Sequence, residues 1–119
     1  MANPNLLSIT TVTGKTAVAN VSNLSSSNVV TNGSGSGTIV KINSLVITNT
    51  DTANNIGVTA GVLRSSIRYN VASNISVPAN SSLITISKDA NIYLEEGDAL
   101  NVIASANNLQ AVCSYEIIG

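Results

Sequence analysis

Ile56-Gly-Val-Thr-Ala-Gly-Val62 decides the fold class. Its apolar residues fall on every second position, with Gly or Thr between them, which is the period of a strand burying one face. The closing stretch repeats the pattern: Leu109, Ala111, Cys113, Tyr115 and Ile117 share one strand face, and before them Leu100, Val102 and Ala104 share another. Between these two runs, Asn107-Asn108 offers both positive-φ positions of a tight hairpin. Thr38–Thr48 is apolar on both parities (Val40, Ile42 and Val46; Ile39, Leu45 and Ile47), which predicts a bulge near Asn43-Ser44 or a strand buried on two sides.

Working outward, Leu6–Thr13 predicts a first strand, with Gly14-Lys15 turning into Thr16–Val21, where Ala17, Ala19 and Val21 share a face. Val29-Val30 predicts a short strand. Ile67–Tyr69 and Val71–Val77 resume the alternation after a break at Arg64-Ser65-Ser66. In Ser82–Ser87, Ile84 and Ile86 fall on one face, and Asn91–Leu94 follows a turn at Lys88-Asp89. Asn49–Asn55, Pro78–Ser81 and Glu95–Asp98 read as turns. About eight short strands, spaced roughly 8–12 residues apart, predict one all-β domain over residues 1–119, an antiparallel β-sandwich or jelly roll. Residues 1–5 are a candidate N-terminal arm, and Asn32-Gly-Ser-Gly-Ser-Gly37 (32–37) is expected to be a flexible Gly/Ser loop.

Composition agrees and excludes much chemistry. Val, Ile and Thr supply 37 of 119 residues and Asn, Ser and Thr 45, whereas charged residues are 9%. β-Branched residues suit a pleated, half-buried surface, and Asn, Ser and Gly suit the turns between strands. The chain has no His, so it lacks the commonest general base near neutral pH and the commonest nitrogen ligand for metals. One Cys excludes an intrachain disulfide or a multi-cysteine metal site. A formal charge of −1 gives no footprint for nucleic acid or an anionic membrane. No apolar run is long enough for a transmembrane helix, and Met1-Ala-Asn-Pro-Asn5 shows no secretion signal.

Three groups of residues are candidate sites. Glu95, Glu96 and Asp98 are the one gathering of carboxylates and could hold a cation, although the spacing is not that of a calcium loop and a Gly-centred turn explains it equally well. Arg64, Arg68 and Tyr69 suggest a protein interface or recognition of a carboxylate or phosphate. Cys113, without a base to ionise it, reads as buried packing. Gly33–Gly37 lacks the Lys-Ser/Thr and the helix that a phosphate loop requires.

Ile92-Tyr-Leu-Glu-Glu-Gly-Asp-Ala-Leu100 and Val112-Cys-Ser-Tyr-Glu-Ile117 together resemble small virion structural proteins of tailed bacteriophages, particularly phages of cyanobacteria and marine bacteria. Pro4-Asn-Leu-Leu7, Thr13-Gly-Lys-Thr-Ala17, Lys41-Ile-Asn-Ser-Leu-Val46, Asn49-Thr-Asp51 and Ile75-Ser-Val-Pro-Ala-Asn80 extend the resemblance over most of the chain. It is weakest through residues 22–37 and brings no catalytic residue.

The resemblance implies a β-sandwich particle component: a capsid cement or decoration protein, or a neck or tail part. The expected function is therefore non-enzymatic and virion-located, after assembly in the host cytoplasm, with no cofactor. Expected partners are the major capsid protein or other virion proteins, together with further copies of the chain, and neither nucleic acid nor membrane. Asn3, Pro4, Leu6, Arg64, Arg68 and Tyr69 are the expected interface residues. A glycan- or cell-surface-binding module is the alternative, weakened by the absence of Trp and Phe for stacking on sugar.

Overall fold

The computed structural model describes residues 11–21 and 26–119. These form nine strands in two antiparallel sheets. The first sheet runs in the order β1 (Val12–Val21), β9 (Leu109–Ile118), β3 (Ile39–Asn49) and β6 (Ser82–Ile86), with β7 (Ile92–Leu94) also paired to β3. The second runs β2 (Ser27–Thr31), β8 (Ala99–Ala104), β4 (Ile56–Arg64), β5 (Ile67–Val77). β6 and β7 act as one strand interrupted by a 3-10 turn, Lys88–Ala90.

The pairing is nested. β1 pairs with β9, β2 with β8, β3 with β6 and β7, and β4 with β5, as in one long hairpin. Pairing of β3 with β9 and of β4 with β8 then rolls that hairpin into two sheets. This is the strand order of a jelly roll.

Leu and β-branched side chains fill the space between the sheets without an aromatic centre. Ile42, Leu45, Ile47, Ile56, Val58, Leu94, Leu100 and Val102 are fully buried, each contributing about 1.5–3 kcal/mol of burial before entropy is counted. The double parity of β3 is resolved by a bulge: the register with β9 slips between Ile42 and Ser44, leaving Asn43 as the extra residue. Ile42 and Leu45, three positions apart, both reach the core.

Four local expectations change. Gly14-Lys15 is not a turn, because β1 runs through it with ten consecutive partners on β9, from Val12↔Ile118 to Val21↔Leu109; the earlier part of the predicted first strand, up to Thr10, lies outside the described residues. Ile84 and Ile86 do not share a face. A slip opposite Leu45/Val46 leaves Thr85 as the extra residue, so Ile86 is 2% exposed and Ile84 66%. Asn107-Asn108 is not a hairpin: β8 and β9 belong to different sheets and each presents its apolar face to the core. Of the two, Asn108 alone has a positive φ, 82°, and its carbonyl accepts the Thr50 amide and hydroxyl, both at 2.8 Å. Ser65-Ser66 is the true two-residue hairpin turn, with φ of 53° and 65°.

Two buried asparagines brace the crossings between sheets. Asn32 donates to the carbonyls of Thr38 and Leu94, both at 2.9 Å, and its Oδ1 accepts the Ser36 hydroxyl at 2.7 Å. The 33–37 segment, expected as a flexible loop, is thus a hydrogen-bonded turn built around Asn32, with Gly35 and Gly37 at positive φ. Asn49 donates to the carbonyls of Asn54 and Val77, both at 2.9 Å, and accepts the Asp51 amide.

Candidate functional site: interaction surfaces

Two of the candidate groups, about thirty residues apart in sequence, meet at one end of the roll. Arg64 closes β4. The Glu95–Asp98 turn precedes β8 and is tied by Asp98 N–H donating to the Glu95 carbonyl and by Gly97 at φ 88°. Arg64 Nε and Nη2 donate to the two oxygens of Asp98 at 2.8 and 2.5 Å, and Nη2 also reaches Glu95 Oε2 at 2.9 Å. Asp98 is 1% exposed and accepts the Glu95 amide as well. Hydrogen bonding from Arg64, helped by its charge and the Glu95 amide, holds the Asp98 carboxyl below its ordinary value against the opposing pull of burial.

This geometry commits both Asp98 oxygens to Arg64 rather than to a cation. Among the described residues, no three His, Cys, Asp or Glu side chains gather in a way that could hold a metal ion.

Arg68, across the hairpin turn, belongs to a separate network. Its Nη1 donates to Asn101 Oδ1 at 2.9 Å and its Nε to Asn70 Oδ1 at 3.1 Å, while Asn101 Nδ2 donates to Asn28 Oδ1 at 2.8 Å. Asn28, Asn101, Gly61 and Asn70 are successive cross-strand neighbours over β2, β8, β4 and β5. Gly61 has no side chain, so the guanidinium can bridge β5 to β8 across it. Neither arginine is therefore an idle surface charge.

Tyr69 is 59% exposed and Tyr93 39%. With Val62 and Arg64 they line an open cleft of about 320 Å³. Tyr115 packs against the core. Cys113 is fully buried, and burial pushes its thiol up to about 11. Asn3, Pro4 and Leu6 lie outside the described residues.

One surface escaped the sequence reading. On the outer face of the first sheet, Val18, Val112, Val46 and Ile84 are consecutive cross-strand neighbours over β1, β9, β3 and β6. Val18 is 76%, Ile84 66% and Val112 44% exposed. Uncharged rows flank them: Asn20, Gln110, Thr48 and Ser82 on one side, Thr16, Ser114 and Ser44 on the other. Each strand contributes one apolar residue between polar neighbours, so only the register reveals the row. Comparison with known proteins finds neither a matching family model nor a curated relative.

Proposed function

We propose that this chain is a non-enzymatic structural protein of a tailed-phage virion, a capsid cement or decoration subunit working through contacts with the major capsid protein and with its own copies. One observation carries the reading. Among the described residues, the Arg64–Asp98 and Arg68–Asn101 pairs are engaged with each other and Cys113 is buried, whereas bulky apolar side chains stand on the surface. Exposed apolar rows rimmed by uncharged polar groups suit protein contact, and interface cores are depleted in Lys and Glu because desolvating charge is costly.

The resemblance of the strand and turn motifs to phage virion proteins supports the same reading. So, by analogy alone, does the jelly-roll order, which recurs in viral capsid domains. Quantitative mass spectrometry of purified particles tests it. Capsid decoration predicts hundreds of copies, while a neck or tail component predicts on the order of a dozen, following the symmetry of each assembly. Absence from the particle overturns the virion reading.

The cleft between Tyr69 and Tyr93 favours a second reading, a glycan- or cell-surface-binding module, since two exposed phenol rings offer stacking surface. A glycan array with the native protein and Tyr69→Ala tests it. Specific binding lost in the variant supports this reading, and an array with no signal removes it.

A further inference from the structure

We propose that the outer face of the β1-β9-β3-β6 sheet is a self-association surface that pairs with the same face of a second copy about a two-fold axis parallel to the strands, between β9 and β3. The inference rests on the reading of this chain as a contact protein and names the surface and the symmetry it would use.

A two-fold axis along the strands brings β9 of one copy over β3 of the other and β1 over β6, while keeping each row over itself. Val112 then meets Val46 of the second copy, and Val18 meets Ile84 of the second copy. The most exposed apolar side chains of the face, Val18 and Ile84, cover each other. The polar rows also match: Gln110 meets Thr48 and Ser114 meets Ser44, so hydroxyl and amide groups find partners instead of apolar surface.

Charge complementarity points the same way. Beyond the Thr16 row, Gly14, Glu116 and Lys41 are the next cross-strand neighbours on this face, and from the Asn20 row to this one Lys41 and Glu116 are the charged side chains among the described residues. The proposed axis sets Glu116 of each copy over Lys41 of the other, opposite charge over opposite charge. Isologous pairing of this kind requires a self-complementary patch.

The area is adequate. Three strands of ten or eleven residues about 4.8 Å apart, with β6 (five residues) and β7 (three) end to end as the fourth, present roughly 600 Å² in projection, before side-chain relief is counted. A standard interface needs about 600–1,000 Å² from each partner.

Sedimentation velocity and native mass spectrometry of the full chain, from about 1 to about 100 µM, test the proposal. The native protein is expected to dimerise in this range. Val112→Lys puts a charge at the centre of the face and is expected to weaken the dimer at least about a hundredfold, with an unchanged β-type circular dichroism spectrum because Val112 already reaches solvent. Ile84→Lys, on the outer strand β6, is expected to do the same and serves if Val112→Lys fails to fold. Lys41→Glu is expected to weaken the dimer about tenfold, and Lys41→Glu with Glu116→Lys to restore it.

A native protein that stays monomeric at about 100 µM, or folded lysine variants that still dimerise, overturns the proposal. Insensitivity to the charge reversals overturns the axis. A chain absent from virions that still dimerises through this face would remove the virion assignment and leave this inference standing.

Discussion

Arg64 grips Asp98 through both carboxylate oxygens, at 2.8 and 2.5 Å, joining the end of β4 to the turn that starts β8. Asp98 is sealed from solvent while the Arg64 side chain is half exposed. Arg64→Met keeps the aliphatic stem but leaves a buried carboxylate with only the Glu95 amide. The expected loss is about 1–3 kcal/mol, at the lower end because solvent screens the exposed side of the pair. Urea denaturation measures it.

The same pair sets the acid limb of stability. The Asp98 carboxyl, held below the ordinary 3.8 by Arg64, takes up a proton in the unfolded chain before it does so in the folded one. Asp51 behaves likewise, lowered chiefly by the Ala53 amide and then the Asn54 amide. Stability from these groups is therefore complete above the unfolded value near 3.8 and drains away as pH falls through the folded values. Denaturation midpoints are expected to be flat from about pH 6 to about pH 5 and to fall below about pH 4, with the fall shallower in Asp98→Asn.

Gly61 and Gly14 make opposite predictions. A Cβ on Gly61 would stand 2.2 Å from the Tyr69 carbonyl oxygen, where β5 bulges against β4. Gly61→Ala must therefore push the two strands apart, at a cost of about 2 kcal/mol or more. A Cβ on Gly14 meets nothing within 4 Å, so Gly14→Ala is expected to be neutral or to stabilise by about 0.5–1 kcal/mol. Thermal melts of the two variants compare them directly.

Ser65-Ser66 carries two left-handed backbone conformations on residues that rarely adopt them. Replacing the pair by Asn-Gly supplies the residues such a turn favours. A gain of about 0.5–1 kcal/mol in denaturant unfolding is expected.

Cys113 is predicted to be inert in the folded chain. Burial pushes its thiol up to about 11, and thiolate is the reactive form. A thiol-specific reagent at about pH 8 is expected to label it at least about a hundredfold more slowly in buffer than in urea. Because the folded state favours the neutral thiol, this residue's contribution to stability also declines as pH rises from 9.0 toward 11.

The strands were legible because the period of two is local: Ile56, Val58 and Ala60, or Leu109, Ala111 and Cys113, announce their buried face without reference to any partner. The bulge at Asn43 was legible for the same reason, as a change of parity within one strand. Thr85 gave no such sign, since Ile84 and Ile86 keep the same parity and only pairing with β3 separates them. The Ser65-Ser66 turn was hidden because neither residue is a usual left-handed one. Asn107-Asn108 misled in the opposite sense, its asparagines marking a change of sheet. Of the candidate sites, the residue types at Arg64 and Glu95–Asp98 were visible, but their union depends on the roll bringing β4 beside the start of β8. The Val18–Val112–Val46–Ile84 row exists only in the register of four strands.

Nested pairing also determines how the protein bears load. Val12 and Ile118 sit directly opposite each other where β1 and β9 meet, so a tension applied through the two chain ends pulls across that ladder rather than along it. The hydrogen bonds then break one after another, as in opening a zip, instead of resisting together. The fold is therefore mechanically soft when pulled apart at Val12 and Ile118.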